Sequence, residues 1–202
     1  MEHQAMKQFN PATATPERPV IGLHDEYPAG YRDPPHAHDR AQLLYASAGV
    51  MSVTVERTTF VVPPQRAVWV PSSMLHDVSC RGPVSLRTLY IDEAATQTQD
   101  WTCRVIEISD FLKALILEIA RFEGSDEVTR REIRIAELII DELKHMPEAP
   151  FSAAMPTDPR LQRVCRQLIE DPSLKLTLDD LARHAGMGRR TFTRLFRAET
   201  GV

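Results

Sequence analysis

Three features of the chain predict an α+β fold. Short strand patterns broken by Pro and Gly run up to residue 92. Two longer amphipathic helical patterns lie between 109 and 146, and three short ones follow residue 158. Strands this short and evenly spaced predict a small barrel or sandwich of the jelly-roll type. The expected order is therefore a β-barrel, a helical hairpin and an all-α helix-turn-helix region.

At 202 residues the chain has room for one or two domains. Its 43% hydrophobic and 26% charged residues suit a globular protein. No apolar run reaches the ~18 residues that would span a bilayer, so a membrane partner is not expected. The N-terminus MEHQAMKQFNPATATPERP lacks an apolar core and does not read as a secretory leader. Cys80, Cys103 and Cys165 are far apart, with no CxxC, and indicate neither a disulfide framework nor a zinc site. Together these predict a cytoplasmic protein.

Residues 1–19 are polar and aperiodic and read as a flexible arm. Strands are expected at 20–25, 42–47 (QLLYAS), 51–55, 60–62, 67–70, 76–80 and 86–91. Within 51–55 Met51, Val53 and Val55 alternate with Ser52 and Thr54, the pattern of a half-buried strand. Pro63-Pro64 and Pro71 end their strands. The polar stretch 93–100 reads as a linker. Ser109 then caps a helix with Leu112, Leu115, Ile116, Ile119 and Phe122 on one side, ending at Gly124. A second helix is expected from about Asp126 to Met146. Ile133, Ala136, Ile140 and Leu143, with Ile135 and Ile139 beside them, make its apolar stripe wider than one partner helix needs. The excess suits a homodimer interface as well as a plain core.

Pro147 to Asp158 holds prolines and small residues and reads as a linker. Asp158-Pro159 is an N-cap followed by Pro at the first helical position. Leu161, Val164, Cys165, Leu168 and Ile169 form one stripe. Thr177 and Asp180 make a capping-box pair ahead of Leu178, Leu181, Ala182 and Ala185, and Gly186 stops that helix. The last helix, about 189–199, carries Phe192, Leu195 and Phe196 on one face. Arg190, Arg194 and Arg197 lie opposite, with Thr191 also outward and Arg189 and Thr193 at the flanks. That is the layout of a recognition helix for double-stranded DNA. Charge agrees: residues 160–202 carry nine Lys and Arg against five Asp and Glu, a net of +4 in a chain of net −4. A basic tail on an acidic body fits an anionic partner.

A second constellation lies in the β region. On one extended strand the H-x-H spacing puts the His36 and His38 rings on one face, Gln42 shares their parity, and a strand returning across the barrel would bring His76 to the same cavity. Three imidazoles would suit a divalent metal, with His36, His38 and His76 as candidate ligands. A polar small-molecule pocket is the other reading, with Tyr45 and Trp69 as its apolar walls or simply as core.

The stretches PPHAHDRAQLLYASAGVMSV, VVPPQRAVWVPSSMLHDV and LDDLARHAGMGRRTFTRLFRAETG, in this order, resemble an AraC/XylS-family transcription regulator with a cupin-type N-terminal domain. Gly30, His36, His38 and Gly49 fit the cupin spacing G-x5-H-x-H-x3-E-x6-G, and His76 the later His. Gln42 stands where that pattern has Glu. The resemblance implies a cupin-like ligand-binding barrel over 20–92, a linker and dimerising hairpin over 93–146, a linker over 147–158 and a DNA-binding domain over 159–202. Family members continue into a second helix-turn-helix, so only the first half is expected here. It further implies an effector-responsive regulator, activator or repressor, of the branch that often controls a neighbouring exporter gene, and not an enzyme. The alternatives are a dioxygenase-like cupin metalloenzyme and a truncated dimerisation fragment.

Overall fold

The computed structural model describes residues 17–56, 58–95, 102–123, 125, 127–149, 152–154, 156–171 and 173–200. The expectations for residues 1–16, for most of the 93–100 linker and for Gly124, Asp126 and Gly201 lie outside the described residues. The chain forms two compact units, residues 1–56 with 60–152, and residues 153–202 with 57–59.

Among the described residues the first unit is built on nine strands, β5 belonging to it from Phe60 on: β1 (Val20–Tyr27), β2 (Arg32–His36), β3 (Ala41–Ala48), β4 (Met51–Val55), β5 (Thr58–Val62), β6 (Arg66–Val70), β7 (His76–Cys80), β8 (Val84–Ile91) and β9 (Arg104–Glu107). In one sheet the order is β1-β8-β3-β6-β9; in the other β5, β4, β7 and β2 lie side by side. Among the described residues three strands were not expected from sequence: β2, β9 and a three-residue strand, Ser152–Ala154, inside the 147–158 stretch read as a linker. β2 contains Pro34 and Pro35, which it tolerates because it is an edge strand needing few amide donors. β9 is a four-residue edge strand, too short to show a period.

The first sheet buries both faces. Leu44, Ala46, Val68, Val70, Val84 and Leu86 meet Val53, Val62 and Val78 of the other sheet in one core. Leu43, Tyr45, Trp69, Leu89 and Ile91 meet a helical hairpin in the other. The hairpin is α1 (Asp110–Ile119), capped by Ser109, and α2 (Arg130–Leu143), capped by Thr129. A single 310 turn, Ala120–Phe122, continues α1. It lies so close on β1 that a Cβ at Gly22 would stand 2.8 Å from the Ala120 nitrogen. α2 is shorter than the expected 126–146 because Thr129, not an earlier residue, accepts the Glu132 amide and starts the helix. Its buried stripe is Glu132, Ile135, Ala136, Ile139 and Leu143, while Ile133 and Ile140 are only half-buried. Pro147–Ala149, read from sequence as the start of a linker, run beside β9: the Glu107 amide donates to Pro147 and the Ala149 amide to Val105.

A buried ion pair ties the start of β1 to the hairpin. Arg18 Nε lies 2.7 Å from Glu132 Oε1, and its Nη2 donates to the carbonyls of Ser125 and Glu127 at 2.8 and 3.2 Å. Arg40 reaches the Arg18 carbonyl at 3.1 Å and Asp92 at 3.2 Å.

The second unit contains α3 (Pro159–Glu170), α4 (Leu178–His184) and α5 (Arg189–Thr200). Leu161, Val164, Ala182, Ala185 and Phe192 form its core, with Leu168, Leu181, Leu195 and Phe196 packed around it. The capping box at Thr177 and Asp180 is formed. Gly186 follows α4 with φ of +65°, the left-handed conformation that costs glycine least. Glu199 near the end of α5 accepts from the Thr157 hydroxyl at 2.6 Å and from the Asp158 amide at 3.1 Å, ahead of α3.

Removing one member of a buried ion pair leaves the other charge uncompensated. Glu132→Ala is expected to destabilise the first unit by about 3–5 kcal/mol, read from urea unfolding; a change within the error of the midpoint would contradict this.

Candidate functional site

The three histidines come from different segments. His36 ends β2, His38 follows in the loop and His76 opens β7. The expectation that His36 and His38 share one strand is corrected: the pairing of β2 shifts register between Asp33 and His36, and the strand ends there. The rings nonetheless converge. His36 and His76 are cross-strand partners with ring centroids 4.4 Å apart, and His38 lies 5.2 Å from His76. The ring nitrogens available as ligands lie within 4.8 Å of one another. The Ser73 amide holds the His38 carbonyl at 2.8 Å.

Gln42 points into the same centre, as its parity with Leu44 and Ala46 requires. Its Oε1 is 3.0 Å from His38 Nε2 and 2.9 Å from His76 Nε2, and its Nε2 donates to the Tyr90 hydroxyl at 3.1 Å. Tyr90 lies opposite Gln42 on β8. Gln42 and His76 are 0% and 1% exposed, so this is a buried polar centre and not a surface patch. Burial pushes the His76 imidazole down to about 4, against the raising effect of the Met74 carbonyl and with further lowering by His36 and His38. Burial also raises the Asp33 carboxyl, which stands 3.4 Å from His36 Nδ1. Three converging imidazoles are a donor set that divalent transition ions favour, so these residues fit a metal as well as a small polar molecule.

Tyr45 and Trp69 do not line this centre. Each is an odd number of residues from an inward neighbour, Tyr45 from Leu44 and Trp69 from Val70, so both face the hairpin. Sequence reasoning missed Tyr90 and Thr88. Thr88 lies two residues before Tyr90, and its hydroxyl is buried with no hydrogen-bond partner among the described residues. Polar residues at the inward parity of an otherwise apolar strand were the signal that could have found both.

On α5, Arg190, Thr191, Arg194 and Arg197 are exposed. No ion pair or hydrogen bond of their side chains occurs among the described residues. The two flanking residues are engaged inside the unit: Arg189 lies 3.2 Å from Asp179, and the Thr193 hydroxyl donates to the Arg189 carbonyl at 3.0 Å. Phe192 is buried on the opposite face, stacked on Phe196 at 5.6 Å.

Comparison with known proteins identifies the families of both regions of the chain. The profile of the AraC-like ligand binding domain matches residues 18–139, and that of the AraC-family bacterial regulatory helix-turn-helix proteins matches 168–202. The HTH-type transcriptional regulator NimR of Escherichia coli K12 is 28% identical over 169 residues, which are 84% of this chain and 62% of NimR. The chain thus spans less than two thirds of that relative's length. The AraC-like transcriptional activator CuxR aligns over 91% of this chain and 72% of its own, with TM-score 0.50 and 16% identity, a likeness of fold. ToxT from Vibrio cholerae O395 covers 91% of this chain and 75% of its own at TM-score 0.46 and 6% identity. No helix among the described residues is long and apolar enough to cross a membrane.

The unfolded chain takes up a proton at His76 near pH 6.5, and the folded one resists until about 4. Stability should therefore be complete above pH 6.5 and fall by about 3 kcal/mol as pH drops to 4. Urea unfolding of the wild type and His76→Gln across that window checks this: the variant should lose most of the slope, and equal slopes would contradict it.

Proposed function

The chain belongs to the AraC family, an AraC-like ligand-binding domain followed by an AraC-type helix-turn-helix, and on that premise we propose a sequence-specific DNA-binding transcription regulator that responds to a small molecule. The observation that carries the reading is the outer face of α5. Three guanidiniums, Arg190, Arg194 and Arg197, stand exposed opposite the Phe192 anchor, with no side-chain partner among the described residues. Unpaired arginines on a rigid helix are free to meet phosphates or guanine edges without first breaking a protein contact. Arg189, held by Asp179, suits phosphate contact at the rim.

The polar centre at His36, His38, Gln42 and His76 is the site we assign to the effector. The Thr88 hydroxyl, two residues from Tyr90 on β8, is buried with no hydrogen-bond partner among the described residues and is a further group that a ligand or water would satisfy. The family is one of regulators, so the barrel is read as a sensor and not as a metalloenzyme. The operator to try first is that of a neighbouring export-pump gene, as the family resemblance implies.

A homodimer through the hairpin is part of the proposal. Phe111 and Leu117 on α1 and Leu138 on α2 are exposed at 51%, 37% and 45%, leaving apolar surface beyond what the first unit covers. Light scattering at micromolar concentration should give a dimer that Leu138→Asp weakens; a wild-type monomer would contradict the dimer.

Gel shifts across a salt series test the DNA reading. Arg194→Ala should relax sequence preference by about 1–3 kcal/mol at one base pair. Arg189→Ala should weaken binding to all sequences alike and reduce the salt slope by ~0.9. An Arg194→Ala protein with unchanged preference, or wild-type binding that ignores salt, would show that α5 is not the reader.

A further inference from the structure

The hydrogen bonds of the histidine centre determine where its protons sit. Each ring has its Nδ1 within hydrogen-bonding distance of a main-chain carbonyl: His36 with Pro34 at 2.9 Å, His38 with Arg40 at 2.6 Å and His76 with Met74 at 2.9 Å. A carbonyl oxygen only accepts, so all three rings carry their proton on Nδ1. A neutral imidazole has one N–H, and each Nε2 is therefore a bare lone pair. Yet Gln42 Oε1, also an acceptor, faces the Nε2 of His38 and of His76 at 3.0 and 2.9 Å. Two imidazoliums 5.2 Å apart inside the barrel would relieve this contact only at the cost of their mutual repulsion and burial.

Two arrangements satisfy every group. Amide oxygen and nitrogen have nearly the same shape, so their order is decided by the surrounding network. Turned by half a rotation, the Gln42 NH2 donates one proton to His38 and one to His76, and its carbonyl accepts the Tyr90 hydroxyl proton. In the orientation with the carbonyl inward, an electron-pair acceptor must lie among Oε1 and the three Nε2 atoms, and the NH2 then holds Tyr90. We propose that Gln42 is a two-position amide latch, closing the empty centre with its NH2 and turning its carbonyl inward to join His36, His38 and His76 when a divalent transition cation such as Zn2+ binds.

The inference rests on reading the cluster as the regulatory pocket and names the ligand chemistry it takes. The ring neighbours of His76 are His36 and His38, whose Nε2 lone pairs are donors for a cation. A neutral amide in place of a carboxylate makes cation binding weaker and reversible, as a sensor requires. Turning the amide also changes the partner of Tyr90 on β8, the strand paired with both β1 and β3 of the sheet that carries the hairpin.

The test uses the full chain labelled with 15N at His and Gln, stripped with chelator and titrated with Zn2+ alone. Two-bond proton–nitrogen spectra of the stripped protein should show Nδ1–H in all three rings. An Nε2–H at His38 or His76 would overturn the proposal. Adding Zn2+ should move all three Nε2 resonances and the Gln42 side-chain amide together. Zn2+ that leaves the Gln42 amide unmoved, or that does not bind, would also overturn it. Gln42→Glu should bind Zn2+ at least about tenfold more tightly, since a full charge replaces a dipole beside the ion; an unchanged affinity in a folded variant counts against the latch. None of these readouts involves DNA, so the inference can fail while the regulator reading stands.

Discussion

Everything in the first unit depends on the two-faced burial of β3 and β8. These strands pair along Ala41–Ala48 and Val84–Ile91, and each has a core on either side. A slip of one residue would exchange the faces, sending Gln42 and Tyr90 toward the hairpin and Tyr45 into the barrel. The error would bury unpaired polar groups on one side and overfill the other. With Trp69, Tyr45, Leu43, Leu44 and Leu89 all at most 1% exposed, register is specified by several large side chains, each worth about 1.5–3 kcal/mol on burial. Parity is therefore what delivers a polar centre to the barrel interior and an apolar sheet face to the helices from the same strand.

Much of this was legible in the sequence, and the failures have physical causes. Seven strands showed through alternation or through apolar runs bounded by Pro and Gly. β2 stayed hidden because Pro34 and Pro35 read as breakers, and only its edge position makes them admissible. The convergence of His36, His38, Gln42 and His76 followed from spacing, but not its detail, since His38 sits beyond the end of the strand. Tyr45 and Trp69 were assigned to the pocket by chemistry when parity assigned them elsewhere. Tyr90 and Thr88 escaped because a polar residue in a strand is ordinarily read as solvent-facing, and β8 has no solvent face at that point.

The second unit was the more readable, because caps and stripes are local signals. Thr177, Asp180 and Gly186 define α4 without long-range contacts, and Phe192, Leu195 and Phe196 orient α5. Sequence could not tell which arginines are free. Arg189 and Arg190 are neighbours of the same type, yet Asp179 engages only the first. The Glu199 carboxylate is a similar case: a residue at the end of one helix serves the amides and hydroxyl ahead of another, a partnership that periodicity does not reveal.

Native-state hydrogen exchange on β3 tests the central claim most directly. If the two-faced pairing of β3 and β8 holds the unit together, the amides of Leu43, Leu44 and Tyr45 should exchange only through global unfolding. Their opening free energies should then equal the unfolding free energy of the unit and fall with denaturant at its full slope. Exchange of these amides at lower free energies than those of edge strand β9, with little denaturant dependence, would contradict the account.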